Sequence, residues 1–323
     1  MPDHRGLMTW PALLLSLILL TTPAPVAAED GAEIAKWNSY VDLANDLETI
    51  FLPALNAYLG TFGHSPEYQP PAGGGLIANY FLVLMETPED LSRVLDAAGS
   101  EADQGGETDL DRAVRELLPY LKELWATLRR SRDYHLKQAA APPSGPGESR
   151  ELRARLDSGA DLHAKIFADY QGFAATYELF RTALQREGAE RRQRDIQAMR
   201  ESGLTLRPAM LEALDAGQAL QDFLNSRQVA TGTLAGLKPE ELAPFHKNFQ
   251  TRAAFLEAAA ATGASDRERL PAEGLAEFIA QLRLARAAAE ALAKAEPQNQ
   301  TDGSPEALAR ELGLLVDIYN RME

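Results

Sequence analysis

Apolar residues recur at three- and four-residue steps along nearly the whole chain, and stretches that alternate every second residue are missing. The predicted fold class is therefore all-α, an elongated bundle of about eight helices, some long and kinked. From Ala32 to Leu59 one stripe is formed by Ile34, Trp37, Val41, Ala44, Leu47, Phe51, Leu55 and Tyr58. Pro53 falls inside that stripe and is expected to kink or split the helix, because proline cannot donate the backbone bond there. The run LIANYFLVLMET that follows reads as a buried helix. Thr87-Pro88-Glu89-Asp90 then has the composition of a helix start. GSEADQGGETD reads as a flexible acidic loop, after which Thr108 and Asp111 can cap a helix running to about Gln138. Pro119 interrupts the apolar face of that helix and predicts a kink.

AAAPPSGPGES, residues 139–149, is the clearest internal linker. The longest helical pattern comes next, from about Ser149 to Met199, ~75 Å if unbroken at 1.5 Å per residue. Its seam is Leu156, Gly159, His163, Ile166, Tyr170, Phe173, Tyr177, Phe180 and Leu184. Gly188 is where it would break. Gly203 and Pro208 punctuate the chain before a helix at Leu211–Leu224. Later starts are marked by Pro239 and by Ser304-Pro305-Glu306, with an Ala-rich helix between them at Leu275–Ala295. The expected organisation is a signal peptide at 1–28 and one helical domain at 29–323, with a loop or sub-domain boundary near 139–149.

Charge narrows the partners. The 323 residues carry 32 Lys and Arg against 47 Asp and Glu, a net −15, so nucleic acid and anionic lipid surfaces are repelled. The one basic run, Arg191, Arg192 and Arg194, is interleaved with Glu187, Glu190 and Asp195 and reads as a solvated helix face. At the N-terminus, Arg5 precedes an apolar stretch from Leu13 to Leu20 and then TTPAPVAAED. Val26 and Ala28 suit the −3 and −1 positions of a signal peptide cleaved between Ala28 and Glu29. The apolar stretch is short for a membrane span, so no span is expected in the mature chain; an uncleaved anchor is the alternative. The expected location is the periplasm. The sequence has 0 cysteines, which removes disulfides, thiol catalysis, zinc–thiolate sites and a cysteine-linked lipid.

Catalytic and metal-binding patterns were sought in turn. His4, His64, His135, His163 and His246 are far apart in sequence and form no helical ligand pair, and His163 lies on the apolar seam. Glu101, Asp103, Gly106, Glu107 and Asp109 imitate part of a calcium loop, but Arg112 stands where its bidentate acid belongs. Gly73-Gly74-Gly75 lacks the Lys and Ser or Thr of a phosphate loop, and no nucleophile elbow is present. No cofactor and no enzymatic activity are expected from these patterns.

Three short segments carry a family resemblance. They are KWNSYVDLAN with Trp37, Asn38, Tyr40 and Asn45; GADLHAKIFADYQGF with Leu162 and His163; and DIYNRM with Tyr319 and Asn320. Together with Pro119 and Tyr134 they make the chain from about Ala32 to Glu323 resemble the YiiG-like family, exported bacterial proteins built around a domain of unknown function. Many members are lipoproteins, and this chain lacks the cysteine such an anchor needs. The family carries no established activity, so the resemblance implies structural signature residues and no catalytic ones. Asn38 and Asn45, seven residues apart on one flank, are expected to hydrogen-bond a neighbouring helix, with Tyr319-Asn320 as that neighbour. The functional expectation is a non-enzymatic envelope protein that binds a partner protein or an apolar or cell-wall-derived ligand. A cell-wall hydrolase using a carboxylate pair and a structural spacer are the alternatives.

Overall fold

The computed structural model describes residues 31–69, 88–104, 108–140, 149–231, 238–262, 270–294 and 304–322. All the regular structure among them is helical, as the periodicity predicts. None of the described helices is long and apolar enough to cross a membrane. Ala28, Glu29 and the apolar run before Thr87 lie outside the described residues.

The chain divides into two compact units at Gly188, and residues 139–149 fall inside the first of them. The first unit, Glu29–Gly188, opens with α1 (Gly31–Asp46), a π-helical turn (Leu47–Phe51) and α2 (Leu52–Phe62) in one unbroken run. Pro53 sits in the first turn of α2. Its missing N–H and its ring would conflict with the carbonyl four residues back, and widening the preceding turn relieves the conflict. The same unit holds α3 (Pro88–Gln104), α4 (Asp109–Ala140) and most of α5 (Ser149–Glu201). Helix α1 packs on α3, and α3 on α4.

One expectation changes here, and one is met: the pattern from Ser149 to Met199 is a single helix. Residues Gly99 to Gln104, read above as the start of an acidic loop, are the last turns of α3. Ala98 and Ala102 are fully buried, and Gly99 admits the Leu118 side chain of α4, 3.2 Å from where a Cβ would stand. Glycine here serves close packing, not helix breaking. Helix α5 also runs unbroken through Gly188 and stops only at Gly203, whose φ of 83° is the left-handed geometry of a helix terminator. Leu204 N–H bonds Met199 O at 3.0 Å and Gly203 N–H bonds Arg200 O at 2.9 Å, the two bonds of a Schellman end. Pro119 lies within continuous α4.

The second unit runs from Ala189 and contains α6 (Leu206–Thr231), α7 (Pro239–Ala261), α8 (Ala272–Lys294) and α9 (Pro305–Met322). Each packs on the next in chain order, and α9 closes back on α6. Ion pairs fix the antiparallel sense: Arg252 to Glu212 between α7 and α6, Arg283 to Glu257 between α8 and α7, and Arg321 to Glu277 between α9 and α8. Phe249, Phe278, Leu220, Leu224 and Leu315 are fully buried at the centre. Ser304 caps α9 as expected, its Oγ accepting the Ala307 N–H at 3.1 Å.

Candidate functional site

Asp111, His135 and His163, buried in the first unit, belong to two constellations. One joins α1 to the start of α4. Asp111 has no exposed surface, and its position follows from a capping box: its N–H donates to Thr108 Oγ1 and its Oδ2 accepts the Thr108 N–H, each at 3.1 Å. Its Oδ1 accepts the Tyr40 hydroxyl at 2.6 Å and pairs with Lys36 Nζ at 2.7 Å. Burial pushes the carboxyl up, but the bonds from Lys36, Tyr40 and Thr108 outweigh it and hold it below the ordinary range. Burial and the Asp111 bond push the Tyr40 phenol well up, so it stays a donor. A second phenol–carboxylate bond, Tyr177 to Glu48 Oε1 at 2.5 Å, ties α5 to the π-helical turn.

The other constellation is aromatic. His163, fully buried on the α5 seam, has both ring nitrogens engaged. Nε2 lies 2.8 Å from the Ser65 carbonyl, which can only accept, so Nε2 carries the proton. Nδ1, 2.9 Å from the Tyr58 hydroxyl, is then the acceptor of the neutral ring. His135 of α4 is 5% exposed and stacks on Phe62, centroids 4.2 Å apart and planes within 15°. Tyr134 meets it edge-on at 5.0 Å. Tyr68 lies between the two histidines, 6.3 Å from His135 and 5.7 Å from His163, and its ring abuts Gly159, where a Cβ would stand 3.1 Å away. His135 Nε2 is buried and finds no hydrogen-bond partner among the described residues. Burial pushes its imidazole down to about 4.

His135 and His163 are thus separate in sequence but share Tyr68 as a neighbour. Spacing along the chain carries no sign of that, because α2, α4 and α5 bring the residues together through tertiary packing. Of the signature residues, Tyr40, outside the predicted stripe, is buried, and Trp37, within it, is half-buried. Asn38 is exposed, and neither its side chain nor that of Asn45 makes a hydrogen bond among the described residues. The expected docking through these asparagines is therefore corrected: α1 is tied to α4 by Lys36 and Tyr40. Leu162 is half-buried beside His163. Tyr319 belongs to the core of the second unit, meeting Phe278 edge-on at 6.5 Å, and Asn320 is half-buried next to it.

Among the described residues no group of three or more His, Asp or Glu is placed to hold a metal ion. Glu101 and Asp103 of the calcium-like run are on α3. In the second unit, Glu212 and Asp215 stand one turn apart on α6, the spacing of an acid pair. Burial pushes the Asp215 carboxyl up, but Arg192 Nε binds its Oδ1 at 2.8 Å. Glu212 is bridged by Arg200 at 2.5 Å and Arg252 at 3.0 Å. Comparison with protein-family models, with curated proteins and with solved structures finds no match to this chain.

Proposed function

We propose that this chain is an exported, non-enzymatic helical protein of the cell envelope, similar to the YiiG-like family, that acts by binding a partner protein or an apolar or cell-wall-derived ligand. The observation that supports the non-enzymatic reading is how the reactive groups are used. Arg192 pairs with Asp215, and Arg200 and Arg252 bridge Glu212, so arginines occupy carboxylate oxygens that a substrate would have to reach. His163 is locked between Tyr58 and Ser65. Export is supported by the signal-like segment ending at Ala28.

The test uses the full chain. Expressed in a bacterial host, it is expected in the periplasmic fraction with Glu29 as its N-terminal residue by mass. Purified protein is expected to sediment with insoluble cell-wall sacculi or with a membrane-derived apolar ligand without releasing fragments. Release of soluble wall fragments that disappears in Asp215→Asn would overturn the reading in favour of a hydrolase.

A further inference from the structure

We propose that the segment 63–69 is an acid-released strap over the aromatic cluster of the first unit, with His135 as its trigger. The strap has few attachments, all countable. Gly63, at φ 107°, ends α2 in the left-handed region, with its N–H on Leu59 O at 2.9 Å. The chain then returns on itself, and Gln69 N–H closes the turn on Phe62 O at 3.0 Å. Between these points two groups hold it down. The Ser65 carbonyl accepts from His163 Nε2, and the Tyr68 ring stacks over Phe62 at 5.9 Å and fits against Gly159. His64 and Glu67 are exposed.

Under the strap, His135 is held as a neutral ring in an apolar stack. Facing it are Phe62 from α2 and Tyr68 from the strap, with Tyr134 on its own helix. Among the described residues the titratable groups of the surrounding elements are Tyr58 on α2, Tyr68 on the strap and His163 on α5. Burial pushes the Tyr58 phenol up and the Tyr68 phenol up to about 12, so neither supplies an anion to balance an imidazolium. Burial alone displaces His135, with no carboxylate contributing. A proton on Nε2 would create a charged donor facing no acceptor. The cheapest relief is to admit water from the side closed by 63–69. Among the described residues its other neighbours, Phe62 and Tyr134, lie on helices whose backbones are bonded internally, whereas the strap has one carbonyl contact and one ring to release.

The sign follows from linkage. With the strap closed, the ring titrates near 4; exposed to water it titrates at the ordinary 6.5. Closure is therefore fully favoured above about pH 6.5 and weakens as pH falls towards 4. Those two values predict a roughly 30-fold rise in the open population between pH 7.5 and pH 5.

The experiment is hydrogen exchange on the full chain, corrected for the intrinsic pH dependence of exchange. The Gln69 amide, bonded to Phe62 O, is expected to lose about 30-fold of its protection over that interval while far-ultraviolet helical signal stays constant. His135→Phe, which keeps an aromatic stack, is expected to abolish the change. His135→Leu serves if the phenylalanine does not fit. In the unsubstituted chain, imidazole titration by NMR gives an independent reading, with one ring expected well below 6. Constant protection of the Gln69 amide in the unsubstituted chain, an unaltered loss of protection in H135F or H135L, or every imidazole titrating near 6.5 would each overturn the proposal.

Discussion

His163 shows how one side chain can be committed at both ends. Ser65 O takes its Nε2 proton and Tyr58 gives a proton to Nδ1, so the ring joins α2, the strap and α5 with no free valence. Replacing it by phenylalanine would keep the volume and strand a buried hydroxyl and a carbonyl. His163→Phe is expected to lower stability by about 2–3 kcal/mol in urea unfolding, while Phe167→Leu, at a half-buried neighbour, should cost less. Asp111 is a comparable case with a charge. Removing it leaves Lys36, Tyr40 and the Thr108 N–H without their acceptor, so Asp111→Ala is expected to cost about 3 kcal/mol. Its folded carboxyl lies below the ordinary value, so its contribution is complete above about pH 4 and is lost as pH falls through the lower folded value. A stability profile in which D111A and the unsubstituted chain converge at low pH would bear this out. Two titrations thus act in different windows: His135 between pH 6.5 and 4, and Asp111 below about pH 4.

At the scale of elements, local chemistry was legible wherever a helix end is made by its own residues. Thr108 with Asp111 and Ser304 cap where they should, since both partners sit within one turn. The seam of α5 is buried at Gly159, His163, Ile166, Tyr170, Phe173, Tyr177, Phe180 and Leu184 because periodicity alone sets which residues share a face. Glycine was the unreliable sign. In the sequence Gly99 and Gly188 could pass for breaks, yet among the described residues the glycines that terminate helices are Gly63 and Gly203, because there the chain adopts a positive φ. A helical glycine can instead mark a close approach, which needs the neighbour to be known. Gly217 of α6 is of that kind: a Cβ there would stand 2.5 Å from Leu312 of α9 and 3.3 Å from Phe249 of α7. Gly217→Leu is expected to cost about 1–3 kcal/mol by thermal unfolding, with part of the loss recovered when Leu312 is shortened to Ala.

At the scale of the whole molecule, the two units make separate cores, and each must carry its own stability. Residues 189–323 close a helix cycle from α6 to α9 around Phe249 and Phe278. A fragment beginning at Ala189 is expected to be helical by circular dichroism and to melt cooperatively. A non-cooperative melt would show that its core depends on the rest of the chain. The sequence by itself determined the all-helical class, the cap residues, the long seam and the lack of thiol chemistry, because those depend on composition and on neighbours within a turn or two. Only the tertiary structure decided where the chain divides, that Lys36 and Tyr40 and not the asparagines tie down α1, and that His135 and His163 share a cluster. The physical reason is separation along the chain: Tyr40 meets Asp111 across 71 residues, Tyr58 meets His163 across 105 and Glu48 meets Tyr177 across 129. No periodicity encodes such pairs; they appear only when helix faces have been matched and packed.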